Sequence, residues 1–326
     1  MAAKPKDGVL RYVDEQIDAL RQNVPAALRQ FDEDGVHKAR VATRRLKASL
    51  DLLEAVAGDD DDAFDPLNRA GKKLRRKLGP LRDADVMLAN LAEYAVPERV
   101  KPAVEWLRAA LAARRDGLRA DAGDGKSVDK RVAAFDGWWV LRRDIESKME
   151  GVERAIADRL VGGADRFAAD ADRLAGIATQ GEGAPMDVHE LRIDGKALRY
   201  TFELADAQGV KVPKRVFKSF KAMQESLGTW HDFVVLAETT TELWSEKQLP
   251  LHDPPLAGTV LDLAKLFVRD ADKALSAFKS RWKRSGRSIL NVTEGLRPPS
   301  AEAVSEPQTD PNPPPSEAPP DPATPA

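Results

Sequence analysis

Cysteine is absent from the 326 residues, so disulfides, thiolate nucleophiles, CxxC redox pairs and cysteine-based zinc sites are excluded together. Aromatic residues make up only 6%, and neither an alternating strand pattern nor an Asn-Gly hairpin occurs, which leaves little to build a β-rich fold. There is no run of ~18 apolar residues that could span a bilayer. The opening stretch MAAKPKDGVLRYV contains no apolar segment of the secretory-signal kind. These absences predict a soluble, cytoplasmic chain without membrane contact.

What remains is rich in helix formers. Hydrophobic residues are 42% and charged residues 32%, enough for a sizeable core beneath a well-solvated surface. Apolar residues recur at helical spacing, as in Leu10, Val13, Ile17, Leu20 and Val24, and again in Val36, Leu46, Leu50 and Leu53. Breaks are expected around 58–66, 123–126, Gly162-Gly163, 179–185, 208–213 and 251–255, giving eight or more helices. The Gly79-Pro80 pair is expected to kink or interrupt a helix running from about 64 to 95, because proline lacks the amide hydrogen and crowds the preceding turn. From residue 292 the chain turns rich in Pro, Ala, Ser and acids, and reads as a disordered tail to residue 326.

The net charge of −2 averages two unlike regions. From residue 293 onward six acids face Arg297 alone, so that segment carries −5 and residues 1–292 carry +3. A modest excess matters only where it is clustered.

An internal repeat shows the clustering. VHKARVATRRLKASLDLLE at 36–54 realigns on VHELRIDGKALRYTFELAD at 188–206, an offset of 152 residues. His37 then matches His189, Arg40 matches Arg192, Arg44 matches Lys196, and Lys47 matches Arg199. A second element follows in each copy, KKLRRKLGPLRDADVML at 72–88 and KAMQESLGTWHDFVVL at 221–236, where Arg82 and Asp83 match His231 and Asp232. The repeat divides the chain into units at 8–148 and 149–291, ahead of the tail at 292–326.

At 100° per residue, His37, Arg40, Arg44 and Lys47 fall within about 80° of arc, beside the apolar stripe of the same helix. A solvated face would lie opposite the core and mix signs at i,i+4, whereas here no acid intervenes until the helix end. Two such faces meeting near a pseudo-two-fold axis would gather like charges that an oligoanion could offset. Histidine suits the task, since nearby phosphates would raise its pKa and nearby arginines would lower it in the empty site. Asp83 and Asp232 are expected to orient Arg82, His231 or a first-half arginine, and the six tryptophans to sit in core or interface positions.

The motifs VHKARVATRRLKASL, LGPLRDADV, VHELRIDGKALRY and LGTWHDFVVL together resemble the CHAD family, the conserved histidine α-helical domain. That resemblance implies an all-α fold of two four-helix-bundle repeats related by internal pseudo-two-fold symmetry. It also implies a basic channel lined by the histidine helices, which binds inorganic polyphosphate, often at polyphosphate granules and their proteins. Carried over residue by residue, it nominates His37, Arg40, Arg44, Lys47, His189, Arg192, Lys196 and Arg199 first, with Arg45 beside them although its match is Ala197. Lys72, Lys73, Arg76, Arg82, Lys218, Lys221 and His231 follow. Gln224 and Glu225 stand where the first half has Arg75 and Arg76, a departure from two-fold symmetry. Some family members carry a fused triphosphate tunnel domain that would hydrolyse; nothing of the kind is present, so a binder with no catalytic residues, cofactor or metal is expected.

Two other readings compete. His231-Asp232 would suit a helical metal-dependent phosphohydrolase, but His37 and His189 sit among arginines, which would repel a metal ion, and the Glu-x-x-His pairs of di-iron bundles are missing. The same cations would neutralise a nucleic-acid backbone, yet aromatics are few and no recognition motif is present, so nucleic acid is not the expected partner.

Overall fold

The computed structural model describes residues 7–58, 62–122, 126–177 and 187–297, and among them every regular element is helical. α1 (Gly8–Pro25) passes through a π-turn, Ala26–Gln30, into α2 (Glu33–Ala57). α3 (Asp65–Glu93) and α4 (Lys101–Ala122) follow, then the short α5 (Lys126–Ala133) and α6 (Trp138–Glu146). The second set comprises α7 (Val152–Ala175), α8 (Val188–Ala207), α9 (Lys214–Glu246), the single turn α10 (Leu249–His252) and the long α11 (Pro254–Glu294).

The apolar periodicity read from the sequence is the buried face: Leu10, Val13, Ile17, Leu20 and Val24 of α1 are inaccessible, as are Val36, Leu46, Leu50 and Leu53 of α2 to within 1%. Each such side chain contributes about 1.5–3 kcal/mol relative to remaining in water. Consecutive helices pack in each set, α1 on α2 on α3 on α4, and α7 on α8 on α9 on α11. Between the sets α1 meets α8, α2 meets α7, α2 meets α8, α3 meets α9 and α4 meets α11. Exchanging the sets maps these five contacts onto themselves, whereas α4 also meets α9 and the matching contact of α11 with α3 is weaker or absent.

The cores do not follow the two halves. One joins α1, α2, α7 and α8 with the early parts of α3 and α9 and the end of α11, where Phe278, Trp282 and Ile289 lie. The other joins Met87 and Leu91 of α3, α4, the later part of α9 and the start of α11. The units expected at 8–148 and 149–291 therefore share both cores. Trp138 and Trp282 are core residues, whereas Trp139 is 37% exposed with Arg21 over its ring.

Three expected breaks fall out differently. α3 runs unbroken through Pro80, whose ring projects to the exposed side, while Leu74, Leu78 and Leu81 hold the helix from the core side. The proline costs about 3 kcal/mol, and burial of the three leucines at about 1.5–3 kcal/mol each outweighs it. α7 runs through Gly162-Gly163, and Gly163 serves packing: a Cβ there would come 3.3 Å from Leu198 of α8. α11 continues to Glu294, past the expected tail boundary at 292, and Arg297 still pairs with Asp165. The breaks at 208–213 and 251–255 separate α8 from α9 and α10 from α11. Those expected at 123–126 and 179–185 fall wholly or largely outside the described residues, as does the disordered tail.

Candidate functional site

Both histidine helices start on an aspartate cap. Asp32 accepts a hydrogen bond from the Gly35 amide at 2.6 Å, and Asp187 accepts one from the His189 amide at 2.7 Å. Such caps satisfy amides that the first turn leaves without partners. Gly35 is required by closeness, since a Cβ there would lie 3.0 Å from the Asp32 carboxylate and 3.1 Å from the Ala26 Cβ. The caps are registered differently against the repeat: His37 falls on the second turn of α2, whereas His189 falls in the first turn of α8.

Two cavities lie where α2 and α8 face each other, and a third, between α1, α8 and α9, adjoins them. The central one, about 660 Å³, is lined by His37, Arg44, Arg45, Arg192, Lys196 and Arg199, together with Gln224 and Lys221 of α9. A smaller one of about 200 Å³ adds Arg40, Arg82, Asp83, His231 and Asp232 and shares His37, Arg44, Arg192 and Lys196 with the first. A third, about 900 Å³, meets the central cavity at Gln16, Arg45, Arg199 and Lys221. The middle is thus the most basic stretch, while Asp83 and Asp232 enter the lining at one end and Glu15, Glu203 and Asp206 at the other.

Electrostatics record the crowding of cations. Lys196 is pushed down to about 7 by burial first, then by Arg192 and Arg44, with Asp232 opposing. Burial likewise lowers Arg192, with Arg44 adding to it and Asp232 and Asp83 acting the other way. Because Arg44 belongs to α2 and the other two to α8, like charges from both halves meet in one space. His37 is held below its ordinary value by burial and then by Arg82, against the pull of Asp34.

Compensation is partial. Arg40 lies 3.5 Å from Asp83, the first-half arginine that this aspartate was expected to orient. Gly79 gives Arg40 room, since a Cβ there would come 3.0 Å from its Nη1. By contrast Arg44, Arg192 and Lys196 have no carboxylate within ion-pair reach among the described residues. Three buried nitrogens in the cleft wall, Arg192 Nε, Gln224 Nε2 and His231 Nδ1, have no hydrogen-bond partner, and His231 Nδ1 is 3.7 Å from Asp232.

The structure brings together His37, Arg40, Arg44, Arg45, Arg82, Arg192, Lys196, Arg199, Lys221 and His231. It does not bring in the remaining nominees. Lys47 is turned outward and bound to Asp51 at 2.8 Å. Lys72, Lys73, Arg76 and Lys218 are exposed and absent from the linings of these three cavities. His189 is also exposed and outside the linings, with its ring stacked on that of His231, centroids 5.6 Å apart. The asymmetry at Gln224 and Glu225 is present: both line the central cavity, while Arg75 donates to the Thr43 carbonyl at 2.9 Å.

Sequence reasoning passed over Lys38, Gln16 and Tyr200, which line the cleft, and Glu203, which binds two of its arginines. Only Glu203 left a signal, an acid four residues after Arg199 on the same helix face. Among the described residues no group of three or more His, Asp or Glu could hold a metal ion, and no helix is long and apolar enough to cross a membrane.

Fold and site together define an all-helical protein in which two histidine-led helices from different halves wall one basic cleft. The CHAD domain family model matches residues 11–241, and the chain belongs to that family. Its fold is similar to the crystal structure of the CHAD domain from the plant Ricinus communis, with a TM-score of 0.55 and 22% identity over 90% of this chain and 92% of that one. It is also similar to PptA from Streptomyces chartreusis, with a TM-score of 0.51 and 14% identity over 86% of this chain and all of that one. At these identities the likeness is one of fold. No curated protein matches the sequence. The family match ends within α9, so α10 and α11, which complete both cores, lie beyond it.

Proposed function

We propose that the cleft holds inorganic polyphosphate and that the protein is a binder without turnover, associated in the cytoplasm with polyphosphate granules. The observation that carries this reading is the convergence of Arg44, Arg192 and Lys196 from two helices with no carboxylate among the described residues bound to any of them. Clustering them costs electrostatic energy in the empty protein, and an anion with many acceptor oxygens offsets that cost. Arginine forks match phosphate oxygens, and Arg44 and Arg192 line both the central and the smaller cavity. Membership in the CHAD family supports the same ligand. The walls of the central cavity offer Tyr200 alone among Phe, Tyr and Trp, which favours a chain of phosphates over a strand whose bases need stacking platforms.

Equilibrium titration with polyphosphates of graded length tests the proposal, run in competition with single-stranded RNA at equal phosphate concentration. Long-chain polyphosphate should bind with strong salt dependence and resist displacement. Displacement by RNA would make this a nucleic-acid binder. Phosphate release in the presence of zinc or manganese would make it a hydrolase.

A further inference from the structure

The basic face of each histidine helix changes sign at the same register. Four residues after Lys47 stands Asp51, and four residues after Arg199, at the matching position of the repeat, stands Glu203. Both acids take the cation before them, Asp51 at 2.8 Å and Glu203 at 3.1 Å. Asp51 lies outside the linings of the three cavities. Glu203 lines the third cavity, next to the two arginines through which that cavity joins the central one.

Its side chain is only 12% exposed and accepts from three directions: the Tyr12 hydroxyl of α1 at 2.8 Å, Arg45 Nε of α2 at 2.8 Å, and Arg199 Nε of α8 at 3.1 Å. Arg45 and Arg199 line both cavities, so one carboxylate is shared by the two arginines at the junction and offsets one of their two charges. Beyond it the lining turns mixed, with Glu15 and Asp206 among Arg11, Lys214 and Lys221. An anionic chain lying along Arg44, Arg192 and Lys196 would therefore meet, in line with them, a carboxylate already seated where its next phosphate would go.

Resting on the reading of the cleft as a polyphosphate site, we infer that Glu203 is a built-in stop that determines where the bound anionic chain ends and how many phosphates the cleft grips. It is a specificity-determining residue, acting by occupying Arg45 and Arg199 in place of the ligand. The groove is accordingly closed on this side: the chain is held along Arg44, Arg192 and Lys196 and stops short of the third cavity, whatever its course past Asp83 and Asp232 at the opposite end.

The test is the salt dependence of binding for tripolyphosphate and for long-chain polyphosphate, measured on the full chain before and after Glu203→Gln, with thermal unfolding alongside. The amide keeps the shape and an acceptor for Tyr12 but removes one negative charge, leaving both arginines without a counter-ion. Long-chain polyphosphate should then bind more tightly, with the slope of log affinity against log salt steeper by about 0.7, at roughly 0.7 per additional neutralised charge. Tripolyphosphate should be unaffected. A variant with unchanged slopes for both, or one that weakens both alike with a lowered unfolding midpoint, shows Glu203 to be only a strut between α1, α2 and α8 and overturns the inference. Should the variant not fold, the parent protein decides: a stop requires the salt slope to level off with chain length, and a slope that keeps climbing overturns it. Absence of binding by either chain to the parent protein would instead defeat the reading of the cleft.

Discussion

The two histidine helices share a motif and differ in what surrounds it. In the first half Arg40 is seated beside Gly79 and paired with Asp83, and His37 on the second turn of α2 faces the cleft. In the second half nothing lies within 4 Å of a Cβ placed on Gly228, Arg192 Nε has no partner, and His189 sits at the helix start, outside the cleft linings. One copy is tied down and the other is left open. The difference teaches that a repeated residue pattern specifies which groups are available. Helix register and the neighbouring atoms then decide which of them meet a ligand.

The largest expected effect is at Lys196, whose charge is the most expensive in the cleft. Lys196→Met should cost about tenfold or more in polyphosphate affinity, the order of one charge-assisted contact. It should also raise the stability of the empty protein by roughly 1–2 kcal/mol, as replacing a poorly compensated buried charge with an apolar isostere often does. The pH dependence has a definite sign. The folded protein gives up the Lys196 proton near pH 7, whereas the unfolded chain keeps it up to the ordinary value of 10.5. Unfolding takes up a proton between those values, so this group makes stability rise with pH across that window. Thermal melts from pH 7 to 10 should show the rise in the parent protein and a flatter profile in the variant; equal profiles would break the assignment.

The next effect separates the two histidines. His37→Ala should weaken binding about fivefold at pH 6, roughly 1 kcal/mol, whereas His189→Ala should change it by less than about twofold. The lowered pKa of His37 means that a bound anion recruits a proton to it, so the parent protein should bind more tightly at pH 6 than at pH 8. Titrations of both variants at the two pH values measure this. Equal losses would erase the distinction between the halves.

The smallest effect concerns the paired glycines. Gly228→Ala enters open space within a helix and should stabilise by about 0.5–1 kcal/mol from propensity alone. At Gly79→Ala the same gain is opposed by the approach to Arg40 at 3.0 Å, so its unfolding midpoint should fall below that of Gly228→Ala. Denaturant unfolding of the two variants makes the comparison, and identical midpoints would show that Arg40 moves aside freely.

Much of this was legible in the residues. Apolar spacing marked the buried faces of α1 and α2, and the offset of 152 marked the two cationic faces, because side chains at i, i+3 and i+4 share a helix face whatever the fold around them. The nominees that failed to reach the cleft, Lys72, Lys73, Arg76 and Lys218, sit on the surface, where a long charged side chain turns to water unless something captures it. Lys47 was captured by its own i+4 acid. Gly162-Gly163 read as a break because glycine disfavours helix, but packing against Leu198 outweighed propensity.

By itself the sequence determined an all-helical chain and two histidine-led basic faces beside apolar ones, since these follow from local periodicity. Only the tertiary structure decided that both faces open on one cleft, that the two cores are shared between the halves, and that Glu203 closes the basic stretch by binding Arg45 of another helix. Those outcomes depend on contacts between residues far apart in the chain, 158 positions for Arg45 and Glu203 and 191 for Tyr12 and Glu203, which no local pattern encodes. The cost of gathering cations arises only when α2 and α8 are brought together. It is then that Lys196 departs from an ordinary lysine.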